Sequence, residues 1–223
     1  MRITMQPFYI VMHLITDLPH IHRVMKQMPN FSISSLSTIS SFFIKRNIRD
    51  SFSAIRYLSA LPLTMQGSSE SLLQVAENGG TANAKNALLA LLAQENNQPT
   101  IKLTLCTYAV DFASNPLLQC VLDKHNLPAL PEVGCYLKYQ GTFYTIAKES
   151  LQVTQPVISD IEITPQQIGS FAQRYYQHFA EHWLQLEKLH HIWTVDKIKI
   201  VKQECLQVMK TCPWQLMHSP LSI

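Results

Sequence analysis

Charge is scarce in this chain. Only 15% of its 223 residues are Asp, Glu, Lys or Arg, against 47% hydrophobic. That balance excludes a disordered, self-repelling polymer and provides for a sizeable core. There is no dense basic tract. The tightest cluster is Lys45, Arg46 and Arg49, too small for a nucleic-acid footprint at a net charge of +3. The cysteines number five, at 106, 120, 135, 205 and 212, and no two make a C-x-x-C pair. The odd count and the spacing argue against a disulfide framework or a zinc site, so a reducing, cytoplasmic setting is expected. Long apolar runs are absent too. Residues 7–15 are apolar but too short to span a bilayer, so no membrane partner is expected. Arg2 before them gives a crude signal-peptide pattern, but no clean small-x-small cleavage site follows, which leaves secretion as a minor alternative. There is no P-loop, no dinucleotide fingerprint and no G-x-S-x-G, and hence no sign of a nucleotide cofactor or a serine hydrolase.

What the chain does have is a strongly marked helix start. Residues 77–95 bring two glycines and a threonine into a segment of helix formers whose apolar face, Leu88, Leu91 and Leu92, follows at once. A helix start exposes N–H groups and the positive end of the dipole, and a thiolate placed there is stabilised and made reactive. The residue at that point is Ala82, which does no chemistry.

The rest of the chain reads as follows. Residues 1–39 form a poorly ordered or loosely packed extension, with a serine-rich linker at 32–41. The main domain covers 40–212, and 213–223 is a tail. Ile48, Phe52, Ile55 and Leu58 recur at helical spacing up to Pro62. Ile101, Leu103, Leu105 and Thr107 alternate with Lys102 and Thr104, which predicts a half-buried strand. Asn115-Pro116 opens a short helix. Residues 133–140 and 142–147 form a hairpin turning at Gln140-Gly141, and a Val/Ile-rich stretch follows at 153–163. Thr164-Pro165-Gln166-Gln167 has the form of a capping box starting a helix to about residue 190. A last helix carries Ile198, Val201, Cys205 and Val208 on one face. The order of helices and strands predicts an α+β fold.

Several of these blocks resemble an uncharacterised family of transglutaminase-like proteins of papain-like architecture. The family block Glu-x-x-Gly-Thr-Cys-Ser-x-Lys-His-Ala-Leu-Leu is matched by Glu77-Asn78-Gly79-Gly80-Thr81-Ala82-Asn83-Ala84-Lys85-Asn86-Ala87-Leu88-Leu89. Ile-Pro-Glu-x-His-Cys-Tyr-Leu is matched by Leu130-Pro131-Glu132-Val133-Gly134-Cys135-Tyr136-Leu137. An aromatic followed by Ile-Arg-Glu-x-Cys is echoed by Trp193 and Ile200-Val201-Lys202-Gln203-Glu204-Cys205, and an upstream Leu-Pro-Tyr by Leu61-Pro62-Leu63. The resemblance covers residues 48–209. It implies a central antiparallel sheet, an active-site-type helix and C-terminal helices.

It also implies a loss. The family's nucleophilic cysteine falls on Ala82, its activating histidine on Gly134, and its orienting aspartate on Tyr144 or Thr145. Its second helix histidine falls on Asn86. A thiol–imidazole–carboxylate relay needs all three members, so no catalytic residue is expected. The expectation is a catalytically inactive domain that binds a protein or peptide through a retained cleft of Gly80, Thr81, Ala82, Lys85, Asn86, Glu132, Gly134, Tyr144 and Thr145. In it Gly80 supplies a left-handed turn, Lys85 is a solvated first-turn residue, and Glu132 pairs with a backbone donor or Lys85. Two alternatives stand beside this one. The first is a cysteine hydrolase or acyltransferase whose nucleophile has moved to Cys135, although strand alternation points that side chain away from the face of Gly134. The second is a structural or degenerating paralogue. Cys106, Cys120 and Cys205 read as small buried hydrophobes. His125 and the His190-His191 pair have no acidic or cysteine partner at convincing spacing. His178 and His182, with Glu181 and Glu187 nearby, read as a polar helix face rather than a metal site, among the aromatic neighbours Tyr175, Phe179 and Trp183. No metal or cofactor is expected.

Overall fold

The computed structural model describes residues 18–64, 71–113, 115–146 and 157–211. The expectations for residues 1–17, the loop at 67–69, Cys212 and the tail lie outside these. The described residues form eight α-helices, four strands and one 3-10 turn. In order they are α1 (Leu18–Gln27), α2 (Thr38–Lys45), α3 (Ser51–Ala60), α4 (Leu72–Asn78), α5 (Ala82–Glu95), β1 (Lys102–Val110), α6 (Pro116–Lys124), β2 (Leu130–Tyr139), β3 (Thr142–Tyr144), β4 (Ser159–Ile163), a 3-10 turn (Pro165–Ile168), α7 (Ser170–Leu186) and α8 (Val195–Thr211). The fold is mixed helix and strand with a four-stranded antiparallel sheet ordered β3-β2-β1-β4. Among the described residues no helix is long and apolar enough to cross a membrane.

The described residues fall into two compact units. The first holds 18–104, 135–146 and 162–168, and the second holds the remainder. In the first, α5 is the central element. Ala87, Leu88, Leu89, Ala90, Leu92 and Ala93 are all buried, so the helix is covered round most of its circumference by α2, α3, α4 and the 3-10 turn. The expected face included Leu91, which is only half-buried, and missed Leu89. Phe42, Phe43 and Tyr57 meet edge to face at centroid distances of 5.4 to 6.2 Å. The Tyr57 hydroxyl donates to the Ala76 carbonyl at 3.0 Å.

This packing begins well before Ser40. Ile21, Val24, Met28, Phe31 and Ile33 are buried, so residues 18–39 are part of the core rather than a loose extension. Nor is the serine-rich stretch a linker, since it leads into α2. The two residues at the end of α5 explain why. The Glu95 carboxylate accepts from the Ile39 and Ser40 amides at 3.2 and 2.6 Å and from the Ser40 hydroxyl at 2.7 Å, capping α2 from outside. The Asn96 side chain accepts from the Ser34 and Ser35 amides and donates to the Ser40 hydroxyl.

The strands match the hairpin expectation and depart from the half-buried one. β2 and β3 pair antiparallel with Tyr139 opposite Thr142, and Gln140 and Gly141 both have positive φ, the two-residue turn that suits a twisted hairpin. β1 is a central strand buried over residues 103–108, including Thr104, which the alternation placed outward, and Cys106, which was expected to be buried. In the second unit Asn115 caps α6 with Pro116 in its first turn, as expected. The Thr164 box is half realised. Gln167 Oε1 accepts from the Thr164 amide at 2.7 Å, but the turn stays 3-10 and α7 begins only at Ser170, beyond the irregular backbone of Gly169. α8 buries Ile198, Val201 and Cys205. The face then passes to Met209, leaving Val208 half-buried.

Candidate functional site

The approach to α5 is built by backbone geometry that only glycine permits. Gly79 closes α4 with φ of 88°, and a Cβ there would lie 2.2 Å from the Pro62 carbonyl oxygen. The left-handed residue is therefore Gly79. Gly80, which was expected to supply that turn, has an ordinary φ. It is kept small by Val75, and its amide donates to the Pro62 carbonyl at 3.1 Å. Thr81 caps α5 by accepting from the Ala84 amide at 3.2 Å, and Ala82 is the first helical residue. The helix start read from the sequence is thus present, with a methyl group where a nucleophile would sit.

The next turn is where the structure adds most. Asn83 Oδ1 accepts from the Cys135 amide at 2.9 Å, and Asn86 Nδ2 donates to the Cys135 carbonyl at 2.8 Å. One turn of α5 therefore holds both backbone groups of a single residue of β2. Asn86 also donates to the Thr145 hydroxyl at 3.0 Å and accepts from the Ile146 amide at 3.0 Å. Its side chain is fully buried, and both its carboxamide atoms are engaged. This clamp fixes the strand β2 and the segment leaving β3 against the helix. Tyr144, opposite Leu137 in the hairpin, is buried beside it. Cys135 is 0% exposed. A nucleophile must be reached by its substrate, and the Cys135 side chain is closed to solvent.

Lys85 corrects the sequence reading most sharply. It is 1% exposed, not solvated, and its amine donates to the Leu61 carbonyl at 2.6 Å. Leu61 ends α3, so the donor meets the negative end of a helix. The signal was legible, because 85, 88, 89 and 92 fall at i, i+3, i+4 and i+7, the buried face of α5.

Glu132 and Gly134 belong to the second unit. Both are buried, two residues apart and hence on one face of β2. The Glu132 carboxylate is bound by Lys202 of α8 at 2.5 Å, a partner seventy positions away that no spacing rule suggests. The Lys202 ammonium also lies 5.3 Å from the centre of the Tyr176 ring. Burial, reinforced by the Glu132 charge, raises the Tyr176 phenol well above the ordinary tyrosine range. Burial, with Glu204 and Glu132 adding to it, pushes the Cys205 thiol up to about 11, which leaves it protonated and inert at neutral pH.

His125 does have an acidic partner. At the end of α6 its Nε2 lies 2.8 Å from Glu204 Oε2, while Lys124 holds Glu204 Oε1 at 2.5 Å. Hydrogen bonds from Lys124 and then His125 lower the Glu204 carboxyl below the usual glutamate range. His178 and His182 are exposed on α7, whose inner side carries Trp183. Among the described residues no group of three or more His, Cys, Asp or Glu is placed to hold a metal ion. Cys120 is exposed, contrary to its reading as core, because α6 buries Leu118, Val121 and Leu122 and turns Leu117 and Cys120 outward. No family model, curated protein or solved structure matches this chain.

Proposed function

We propose that this chain is a catalytically inactive transglutaminase-like domain that works by binding a protein or peptide ligand around the start of α5. The observation that carries this reading is the pairing of a well-built helix entrance with Ala82 at its first position. Gly79, Thr81, Asn83 and Asn86 each have a defined structural task there, and none of them is a nucleophile or a base. Ala82 and Gly134 are each small where the resembling family would carry a reactive side chain. The buried, doubly held Cys135 disfavours the relocated-nucleophile alternative.

The test is a reconstruction series read by thiol reactivity and by hydrolysis of activated esters. The wild-type chain is expected to give no hydrolysis above background, and Ala82→Cys alone to react as an ordinary buried-edge thiol. Adding Gly134→His and Thr145→Asp is expected to accelerate the thiol. Hydrolysis by the wild type that a substitution near Ala82 abolishes would overturn the inactive reading. A triple variant no faster than a free thiol would overturn the transglutaminase-like alignment.

A further inference from the structure

The second unit contains an open groove that the reading above does not use. It lies where the last turns of α7 meet the loop leading into α8, and its volume is about 290 Å³. That is at the small end of ligand sites, room for one side chain rather than for a whole small-molecule substrate. Leu184 and Val195 form an apolar base, and Trp193 forms a half-buried aromatic wall. The lining carries two carboxylates, Glu181 and Asp196, and one basic residue, His190, with no Lys or Arg, in a chain whose net charge is +3. Glu181 Oε1 accepts from Gln177 at 2.7 Å and Asp196 Oδ1 from Lys199 at 2.9 Å, so each carboxylate has a second oxygen with which to meet a donor. Close by in sequence, Leu186 and Ile192 are 63% and 68% exposed.

An aromatic face, two carboxylates and an apolar base select one kind of group. A guanidinium is planar, stacks on an indole, forks its donors to carboxylates and is more weakly hydrated than an ammonium. We propose that this groove receives a single arginine side chain of a partner polypeptide. This site is independent of the one around α5.

The probe is the peptide acetyl-Leu-Arg-Leu-amide, titrated into the full chain and followed by NMR chemical shifts. Its counterparts carry citrulline, which keeps the shape and loses the charge, or glutamate in place of arginine. Binding is expected for the arginine peptide, weaker by roughly fivefold or more for citrulline and absent for glutamate. It is expected to weaken as salt rises from about 50 to about 300 mM. Glu181→Gln with Asp196→Asn, both at exposed positions, is expected to weaken it by roughly fivefold or more, with the circular dichroism unchanged. Equal binding of the arginine and citrulline peptides, no binding of either, or no effect of the double substitution would overturn the proposal.

Discussion

The start of α5 and the neighbourhood of Glu132 and Glu204 solve the same problem, holding a strand or helix in place through polar side chains, with different chemistry. Around α5 the work falls to carboxamides. Asn83 and Asn86 hold the backbone at Cys135 and Ile146, and neither side chain titrates. In the second unit it falls to ion pairs, Glu132 with Lys202 and Glu204 with Lys124 and His125. The contrast is instructive, because the region whose sequence most resembles a catalytic site holds the neutral, pH-indifferent machinery. The ionisable groups sit where they tie elements together.

That comparison breaks most easily at Asn86. Asn86→Ala removes three hydrogen bonds and leaves the Cys135 carbonyl and Ile146 amide to find other partners in a buried place. A loss of about 3 kcal/mol is expected in chemical denaturation, constant between about pH 5 and 8. A loss under 1 kcal/mol would mean that the clamp is dispensable.

Lys202→Met should cost less, about 2 kcal/mol, because Glu132 loses its partner while the lysine itself is 37% exposed and its pairing is partly screened by water. A penalty under about 0.5 kcal/mol in chemical denaturation would contradict the assignment of Glu132 and Lys202 as a stabilising pair.

Glu204→Gln should give the smallest effect, present at neutral pH and lost in acid. The folded-state pKa of Glu204 lies below its unfolded value, so its contribution is complete above the unfolded pKa and disappears as pH falls through the folded one. The wild type should therefore lose stability relative to the variant below about pH 4.5, the ordinary glutamate range, and the difference should be constant above it. Melting temperatures across that range would read it directly.

How much of this was legible in the sequence follows from the range of the interactions. Local signals succeeded. The Thr81 and Asn115 caps, the Gln140-Gly141 turn and the Ile198, Val201 and Cys205 face all depend on neighbours within a few positions. Local signals also misled where tertiary partners overrode them. The serines before α2 read as a linker because the groups that organise them, Glu95 and Asn96, come more than fifty residues later. β1 read as half-exposed because alternation cannot reveal that a strand is central. At the candidate site, Ala82 and the glycine approach were readable, but Asn83 was passed over, since its partner Cys135 lies on another element. The pairs Glu132–Lys202 and His125–Glu204 span seventy or more positions and leave no periodic trace. Lys85 was misread as solvated although a local signal, its spacing with Leu88, Leu89 and Leu92, puts it on the buried face of α5.

The central claim is that, among the described residues, no cysteine is an activated nucleophile, and alkylation rates for each cysteine of the folded protein, resolved by mass spectrometry across pH, test it most directly. Cys120, the exposed one, should react first. Cys106, Cys135 and Cys205 should stay slow until the protein unfolds, with the Cys205 thiol protonated up to about 11. Fast alkylation of Cys135 near neutral pH, well below the ordinary thiol range of about 8.5, would contradict the account and establish a relocated nucleophile.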